Sequence, residues 1–367
     1  MTSLILPFVI MLSVISVGIA FLKGRQFGGK ITKNDLERYQ RSSNWKKGQF
    51  ENLIETKMDI NLGTMPGLIM RNMRDKRNRT PQDPLAILPL DRKRFQEDID
   101  RPKFIWYGHS VLLLQVKGKN ILIDPMFGPN AAPIAPFPSK RFSENTLDII
   151  DRLPPIDLVL QTHDHYDHLD LDSITKLKNK VDHWWVAMGV ERHLVRWEVK
   201  KEGIKEFDWW DTDSFQELEI TFTPSRHFSG RGLKDRAKSL WGGWVIKSEE
   251  HSIYWSGDGG YGPHFKEVGE RLGPFDWGFM ECGQYDKLWQ AIHLMPEESI
   301  WAAQDAKVDV AIPVHWAGFR LALHPWKEPV KRFVMEAESK GVNVAMPRLG
   351  EMVKMGEVPT FRWWEEY

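Results

Sequence analysis

The stretch Ile156-Asp157-Leu158-Val159-Leu160-Gln161-Thr162-His163-Asp164-His165-Tyr166-Asp167-His168-Leu169-Asp170 decides how this chain is read. An apolar run ends in a burst of ligand-type side chains, with His163, His165, Asp167 and His168 inside six residues. A buried strand ending in this way delivers several ligands to one point at its carboxyl end. On an extended segment His163, His165 and Asp167 share one face. A turn into a helix at Leu169 then brings His168 to a neighbouring position. Neutral imidazoles with a carboxylate suit zinc or a similar divalent transition ion. The whole chain has 12 His, so three of them in six residues is not the composition of an ordinary surface loop.

One ligand cluster seldom completes a two-metal site, and the same device recurs downstream. Thr221-Phe222-Thr223-Pro224-Ser225-Arg226-His227 places a His just past a strand. Ser252 to Trp255 runs into Ser256-Gly257-Asp258-Gly259-Gly260, whose glycines allow close backbone approach. Val310-Ala311-Ile312-Pro313-Val314 leads to His315, and Ile121-Leu122-Ile123 leads to Asp124. Between these points strand and helix signals alternate over some 250 residues, which indicates a layered α/β domain. Strands are expected near Phe104–Tyr107, Val111–Val116, Trp184–Ala187, Glu219–Thr223 and Trp244–Lys247. Helices are expected near Leu171–Lys180, Val190–Val199, Pro296–Ala306 and Pro329–Lys340, and Lys117-Gly118-Lys119-Asn120 reads as a hairpin turn.

The 367 residues, 42% of them hydrophobic, can bury one large core or two smaller ones. Fifty basic residues balance fifty acidic ones, so overall charge argues against nucleic acid as a partner. A single cysteine, Cys282, excludes an intramolecular disulfide and a Cys-rich metal site. The 17 Trp suit a large aromatic core, with some available to a membrane interface. Leu4 to Leu22 is an uncharged apolar run of about bilayer length, followed by Lys23, Arg25 and Lys30. The positive-inside rule then favours an uncleaved amino-terminal anchor, over a signal segment, with the rest of the chain in the cytoplasm. This gives three expected regions: 1–27, a hydrophobic anchor; 28–100, a basic arm; and 101–367, the domain that carries the ligand motifs. Within the arm, Met65-Pro66-Gly67-Leu68-Ile69-Met70 precedes Arg71, Arg74, Lys76, Arg77 and Arg79. That pattern suits either an arm packed on the main domain or one resting on anionic lipid.

The series Asp124, His163-x-His165-x-Asp167-His168, His227, Asp258 and His315 resembles the metallo-β-lactamase fold superfamily. Within it, Trp106-Tyr107-Gly108-His109-Ser110, Thr223 to His227, Leu240-Trp241-Gly242-Gly243-Trp244, Gly273-Pro274-Phe275-Asp276, Pro296-Glu297-Glu298 and His315-Trp316 resemble the family of N-acyl-phosphatidylethanolamine-hydrolysing phospholipases D. The resemblance runs from about Arg101 to Gly350. It implies a four-layer αβ/βα sandwich holding two Zn2+ or other divalent ions. His163, His165 and His227 are then the ligands of one ion, and Asp167, His168 and His315 those of the other. Asp258 bridges them, with a hydroxide between. The implied reaction is hydrolysis of an N-acyl phosphatidylethanolamine to N-acylethanolamine and phosphatidic acid. Catalytic roles then fall to Asp258, His293 and Asp124, and substrate contacts to Tyr166, His293 and His324. Asp124 and His109 would orient ligands. Phospholipid and membrane are the expected partners, with a homodimer suggested by the resemblance alone. The covalent phospholipase D route, which needs H-x-K-x-x-x-x-D, is not encoded, because Arg271 follows His264-Phe265-Lys266 where the Asp would stand. Two other readings use the same site: another hydrolase of this fold, such as a sugar-phosphate lactonase, and a non-catalytic metal store. A structural zinc site is normally closed by four protein ligands. Seven ligands around two ions leave open positions, which disfavours the store.

Overall fold

Two strands of the main body, Leu112–Val116 and Lys119–Ile123, run antiparallel through the Lys117-Gly118 turn. Both turn residues have positive φ, 48° and 71°, as a two-residue hairpin loop requires. The turn is thus shorter than the sequence suggests, and Lys119 and Asn120 already belong to the second strand. The computed structural model describes residues 16, 18, 21, 23–74, 78–132 and 139–367. Most of the Leu4–Leu22 run, together with Lys76 and Arg77, lies outside them. No helix among the described residues is long and apolar enough to cross a membrane. The expected membrane anchor is therefore corrected, and the cytoplasmic placement that rested on it is withdrawn.

Two seven-stranded mixed sheets form the sandwich. The first runs in the order Met352–Lys354, Lys103–Trp106, Leu112–Val116, Lys119–Ile123, Leu158–Gln161, Trp184–Ala187, Ile204–Phe207. The second runs Asn343–Val344, Val308–Val314, Phe275–Glu281, Ser252–Trp255, Gly243–Lys247, Leu218–Thr223, Thr212–Phe215. Each combines antiparallel and parallel pairings: Leu112–Val116 is antiparallel to Lys119–Ile123, which is parallel to Leu158–Gln161. Helix Pro296–Asp305 packs on the strands Phe275–Glu281 and Val308–Val314, and helix Glu328–Lys340 packs on that helix. On the first sheet, helix Glu191–Arg196 lies against Ile204–Phe207. The expected four-layer αβ/βα architecture is present.

The two sheets meet through aromatic rings. Phe104 sits edge-on to Trp277 and Phe279, each 4.9 Å away between centroids, and Phe207 meets Trp244 at 5.3 Å. Trp106, Trp184, Trp244, Trp255 and Trp277 are fully buried, so these tryptophans fill the core. Truncating a fully buried Phe costs about 3–5 kcal/mol, through lost transfer energy and the cavity left behind. Phe104→Ala is accordingly expected to lower the unfolding free energy by that amount, measured as a lower urea midpoint at unchanged m-value.

The region 28–100 is less irregular than its sequence suggests. Helix Lys33–Tyr39 starts at a reciprocal Thr32/Asp35 capping box, and Tyr39, Phe50, Leu85 and Phe95 enter the hydrophobic core. Helix Met65–Arg74 buries none of its residues. Its Arg71 makes a two-pronged bond to Asp286, at 2.9 and 3.1 Å.

Candidate metal centre

The ligand-type residues lie where strands run out at their carboxyl ends, the usual place for a site in a sheet of this kind. Asp124 follows Lys119–Ile123, and His163 follows Leu158–Gln161. On the second sheet His227, Asp258 and His315 follow Leu218–Thr223, Ser252–Trp255 and Val308–Val314, and Glu281 ends Phe275–Glu281. Backbone geometry is stretched to aim them. Asp124, His109 and His315 take φ of 41°, 53° and 65°, a region that costs non-glycine residues energy and persists where the surroundings enforce it. Gly257 (φ 64°) makes the turn before Asp258, where a Cβ would come within 2.2 Å of the Gly242 carbonyl oxygen. His109 N–H donates to the Trp316 carbonyl (2.8 Å) and His315 N–H to the His109 carbonyl (2.9 Å), which ties the two sheets together at the site.

One expectation from the sequence fails. His163, His165 and Asp167 do not share a face, because Tyr166–His168 is a turn, closed by His168 N–H and Leu169 N–H on the His165 carbonyl. The turn swings Asp167 away from the first two imidazoles. His163, His165 and His227 form one convergent group, and His109, Asp167, His168 and His315 form another. Asp258 joins both regions: Oδ2 lies 3.0 Å from His168 Nε2, 3.0 Å from His315 Nε2 and 3.9 Å from His227 Nε2. His227 Nε2 and His165 Nδ1 are 3.1 Å apart, close to the separation of two ligands ~2 Å from one cation.

The electrostatics suit a cation. His163 is 1% exposed and its Nε2 is buried with no hydrogen-bond partner among the described residues, leaving a lone pair directed into the site. Burial pushes His163 and His227 well below the ordinary imidazole range, and His165 down to about 4, so these rings are neutral. Burial opposes ionisation of Asp258 as well, yet His168 and His315 hold its carboxyl well below the usual carboxylate range. Conversely, burial disfavours a charged His168, but Asp258, Asp167 and Asp124 raise it to about 10. Without an ion, protons on His168 and His315 balance the buried carboxylates. The residues fit a divalent metal.

Asp124 stands behind this arrangement rather than in it. Its Oδ2 accepts from His168 Nδ1 (2.8 Å) and Thr162 Oγ1 (2.7 Å), and its Oδ1 accepts from Thr162 N–H (2.8 Å) and Gln161 Nε2 (2.9 Å). It fixes the ring whose other nitrogen faces the site. Asp124→Asn is expected to weaken metal affinity about 10–100-fold while the melting curve of the metal-loaded protein is retained, as titration against a competing chelator will measure.

The other sequence candidates fall variously. His109 Nε2 is 2.9 Å from Asp167 Oδ2, within the second group. Tyr166 braces the loop: its hydroxyl donates to the Arg231 carbonyl (2.6 Å) beneath the Arg231 guanidinium. His324 stacks on Tyr285 and accepts the Gln284 N–H at 3.0 Å. His293 lies beside His227 and His315, with ring centroids 5.0 and 5.3 Å away. Two contributors escaped sequence reasoning. Asn52, in the arm, donates to the His227 carbonyl (2.8 Å) and accepts its N–H (3.1 Å), with no motif to mark it. Glu281, which no ligand motif marks, is fully buried beside His293 and His315. A cavity of about 940 Å³ opens between Leu68 and Met70 on one side and Leu288, Met295 and Leu323 on the other. None of the metal-group residues lines it, whereas His324 and Met295 do.

Residues 119–316 match the beta-lactamase superfamily domain. An uncharacterized protein of Mycobacterium tuberculosis is 37% identical over 287 residues, 77% of each chain. The N-acyl-phosphatidylethanolamine-hydrolyzing phospholipase D 1 of Caenorhabditis elegans is 29% identical over 226 residues, 58% of this chain and 63% of that one. Among solved structures, a metallo hydrolase from the archaeon Ignicoccus hospitalis superposes with a TM-score of 0.55 at 21% identity, over 70% of this chain and 99% of its own.

Proposed function

The chain belongs to the beta-lactamase superfamily as a metal-dependent hydrolase, and from that premise we propose that it is a two-zinc phosphodiesterase of phospholipase D type. Its substrate in this reading is an N-acyl phosphatidylethanolamine, and its products are N-acylethanolamine and phosphatidic acid. The observation that carries the reading is the pair of ligand groups sharing Asp258. His163, His165 and His227 would hold one cation and Asp167, His168 and His315 the other, with Asp258 shared between them. Two such ions lower the pKa of a shared water and neutralise charge on the phosphoryl oxygens of an in-line displacement.

The remaining chemistry belongs to side chains of this chain. His109 and Asp124 hold the carboxylate and imidazole ligands in place. His293 stands at the rim with Nε2 engaged by no hydrogen bond among the described residues, available to a phosphate oxygen or to the departing alkoxide. The cavity at Leu68, Met70, Leu288, Met295 and Leu323 suits a long apolar chain of the substrate. The C. elegans relative supports the substrate by its own described activity. Metal-replete protein incubated with N-acyl phosphatidylethanolamine vesicles is expected to release N-acylethanolamine and phosphatidic acid in equal amounts. Intact lipid, with turnover of a sugar-phosphate lactone instead, would assign the scaffold to the lactonase reading.

A further inference from the structure

Like Asp124, Glu281 is a buried carboxylate at this centre outside both ligand groups. It is 0% exposed at the end of strand Phe275–Glu281. Its Oε2 accepts the Gly259 N–H at 2.6 Å, immediately after Asp258 in the chain. Its Oε1 is hydrogen-bonded to His293 Nδ1 and lies 3.3 Å from His315 Nδ1, off the line of a hydrogen bond. Its backbone is fixed too, with the N–H donating to Ser256 Oγ at 3.1 Å and the carbonyl accepting from Ser299 Oγ. A carboxylate anchored at so many points is rigid. A group bonded to only one of its oxygens inherits that rigidity.

We propose that Glu281 is a positioning residue for the reaction: it holds the His293 ring with Nδ1 turned to the carboxylate and Nε2 turned to the leaving oxygen of the ester. The role depends on the phosphodiesterase reading. In that reaction a hydroxide oxygen forms a new bond to phosphorus and the ester P–O bond breaks with its electron pair on the leaving oxygen. That oxygen takes the Nε2 proton and departs as an alcohol. The proton lost when the next water becomes hydroxide restores the ring, so charge and atoms balance over the cycle. A freely rotating His293 would present Nε2 to the ester only part of the time. The Glu281 bond removes that freedom, as a buried carboxylate does for the base of a catalytic triad.

The leaving group supplies the test, because 4-nitrophenolate departs unprotonated whereas the alkoxide of N-acylethanolamine does not. Full-length, metal-loaded Glu281→Gln is expected to lose about 100-fold in kcat on N-acyl phosphatidylethanolamine at little changed KM, within the range of one general acid. On bis(4-nitrophenyl) phosphate it is expected to stay within about threefold, with metal content per chain unchanged and Glu281→Gln/His293→Ala no slower than His293→Ala alone. Equal losses on both esters, or loss of metal, would overturn the role and make Glu281 a support for His315. Wild-type protein that cleaves neither ester would overturn the phosphodiesterase reading and the inference with it. Should the Gln variant not fold, ring-15N spectra of the wild type, assigned through His293→Ala, decide instead. A protonated, hydrogen-bonded Nδ1 is expected, and a bare Nδ1 contradicts the role.

Discussion

Asp258→Asn is expected to reduce hydrolysis by about 10³-fold or more, because the two-metal mechanism needs one group that serves both cations. The carboxylate offers two anionic oxygens, whereas the amide of Asn offers one neutral oxygen and an NH2 that no cation accepts. In the structure Asp258 Oδ2 stands 3.0 Å from His168 Nε2 and His315 Nε2 in one group and 3.9 Å from His227 Nε2 in the other. The substitution is nearly isosteric, and the left-handed turn at Gly257 that places the residue is untouched. Initial rates, metal content by plasma emission spectrometry and far-UV circular dichroism, read together, separate loss of chemistry from loss of fold. Retained activity in a variant that has lost one metal would show that a single ion suffices.

Stripping the metal is expected to have the second large effect, on stability as well as rate. A metal that binds only the folded chain stabilises it by about 4 kcal/mol when present at a thousandfold over its Kd. The pH dependence adds a signature. His168 is raised to about 10, from an ordinary 6.5, by Asp258, Asp167 and Asp124 against the opposing effect of burial, and His315 is raised well above 6.5 by Asp258, Asp167 and Glu281 against the same effect. A raised imidazole stabilises the fold fully below about 6.5, and that stability is lost as pH climbs through about 10. His163 and His227 are depressed by burial, so their contribution runs the other way: it is present above about 6.5 and lost as pH falls below it. Metal-free protein should therefore be most stable near pH 6.5 and should weaken toward pH 9.5. A bound cation takes the place of the protons on His168 and His315, and the alkaline loss should vanish. Scanning calorimetry at pH 7 and 9.5, with and without metal, is expected to show the gap in melting temperature widening. A constant gap would mean that the cation does not bind at these imidazoles.

Much of this centre was legible in the sequence, for a physical reason. Metal ligands delivered from strand ends arrive as short apolar runs capped by His or Asp, and the runs before His163, Asp258 and His315 all have that form. The strand before Glu281 does not. Phe275-Asp276-Trp277-Gly278-Phe279-Met280-Glu281 is flanked on both sides by parallel strands, so it lacks the alternation of a half-exposed strand. Its Gly278 looks like a breaker, yet a Cβ there would fall 2.5 Å from Val308 Cγ2. The glycine serves close packing. Without that strand, Glu281 could not be placed. The edge strands Asn343–Val344 and Met352–Lys354 are too short to leave a pattern, and Asn52 reaches His227 from an arm whose path only the fold defines. The direction of Asp167 relative to His163 and His165 does not follow from an extended pattern, because Tyr166–His168 is a turn.

The central claim is tested most directly by lipid mass spectrometry in 18O-labelled water, with the metal-loaded protein acting on a mixed membrane extract in the presence and absence of chelator. Attack of hydroxide at phosphorus predicts N-acylethanolamine with no label and phosphatidic acid carrying one 18O, both absent when chelator is present. Label in the alcohol product, or lipid cleavage that persists in chelator, would contradict a metal-dependent phosphodiesterase built on His163, His165, Asp167, His168, His227, Asp258 and His315.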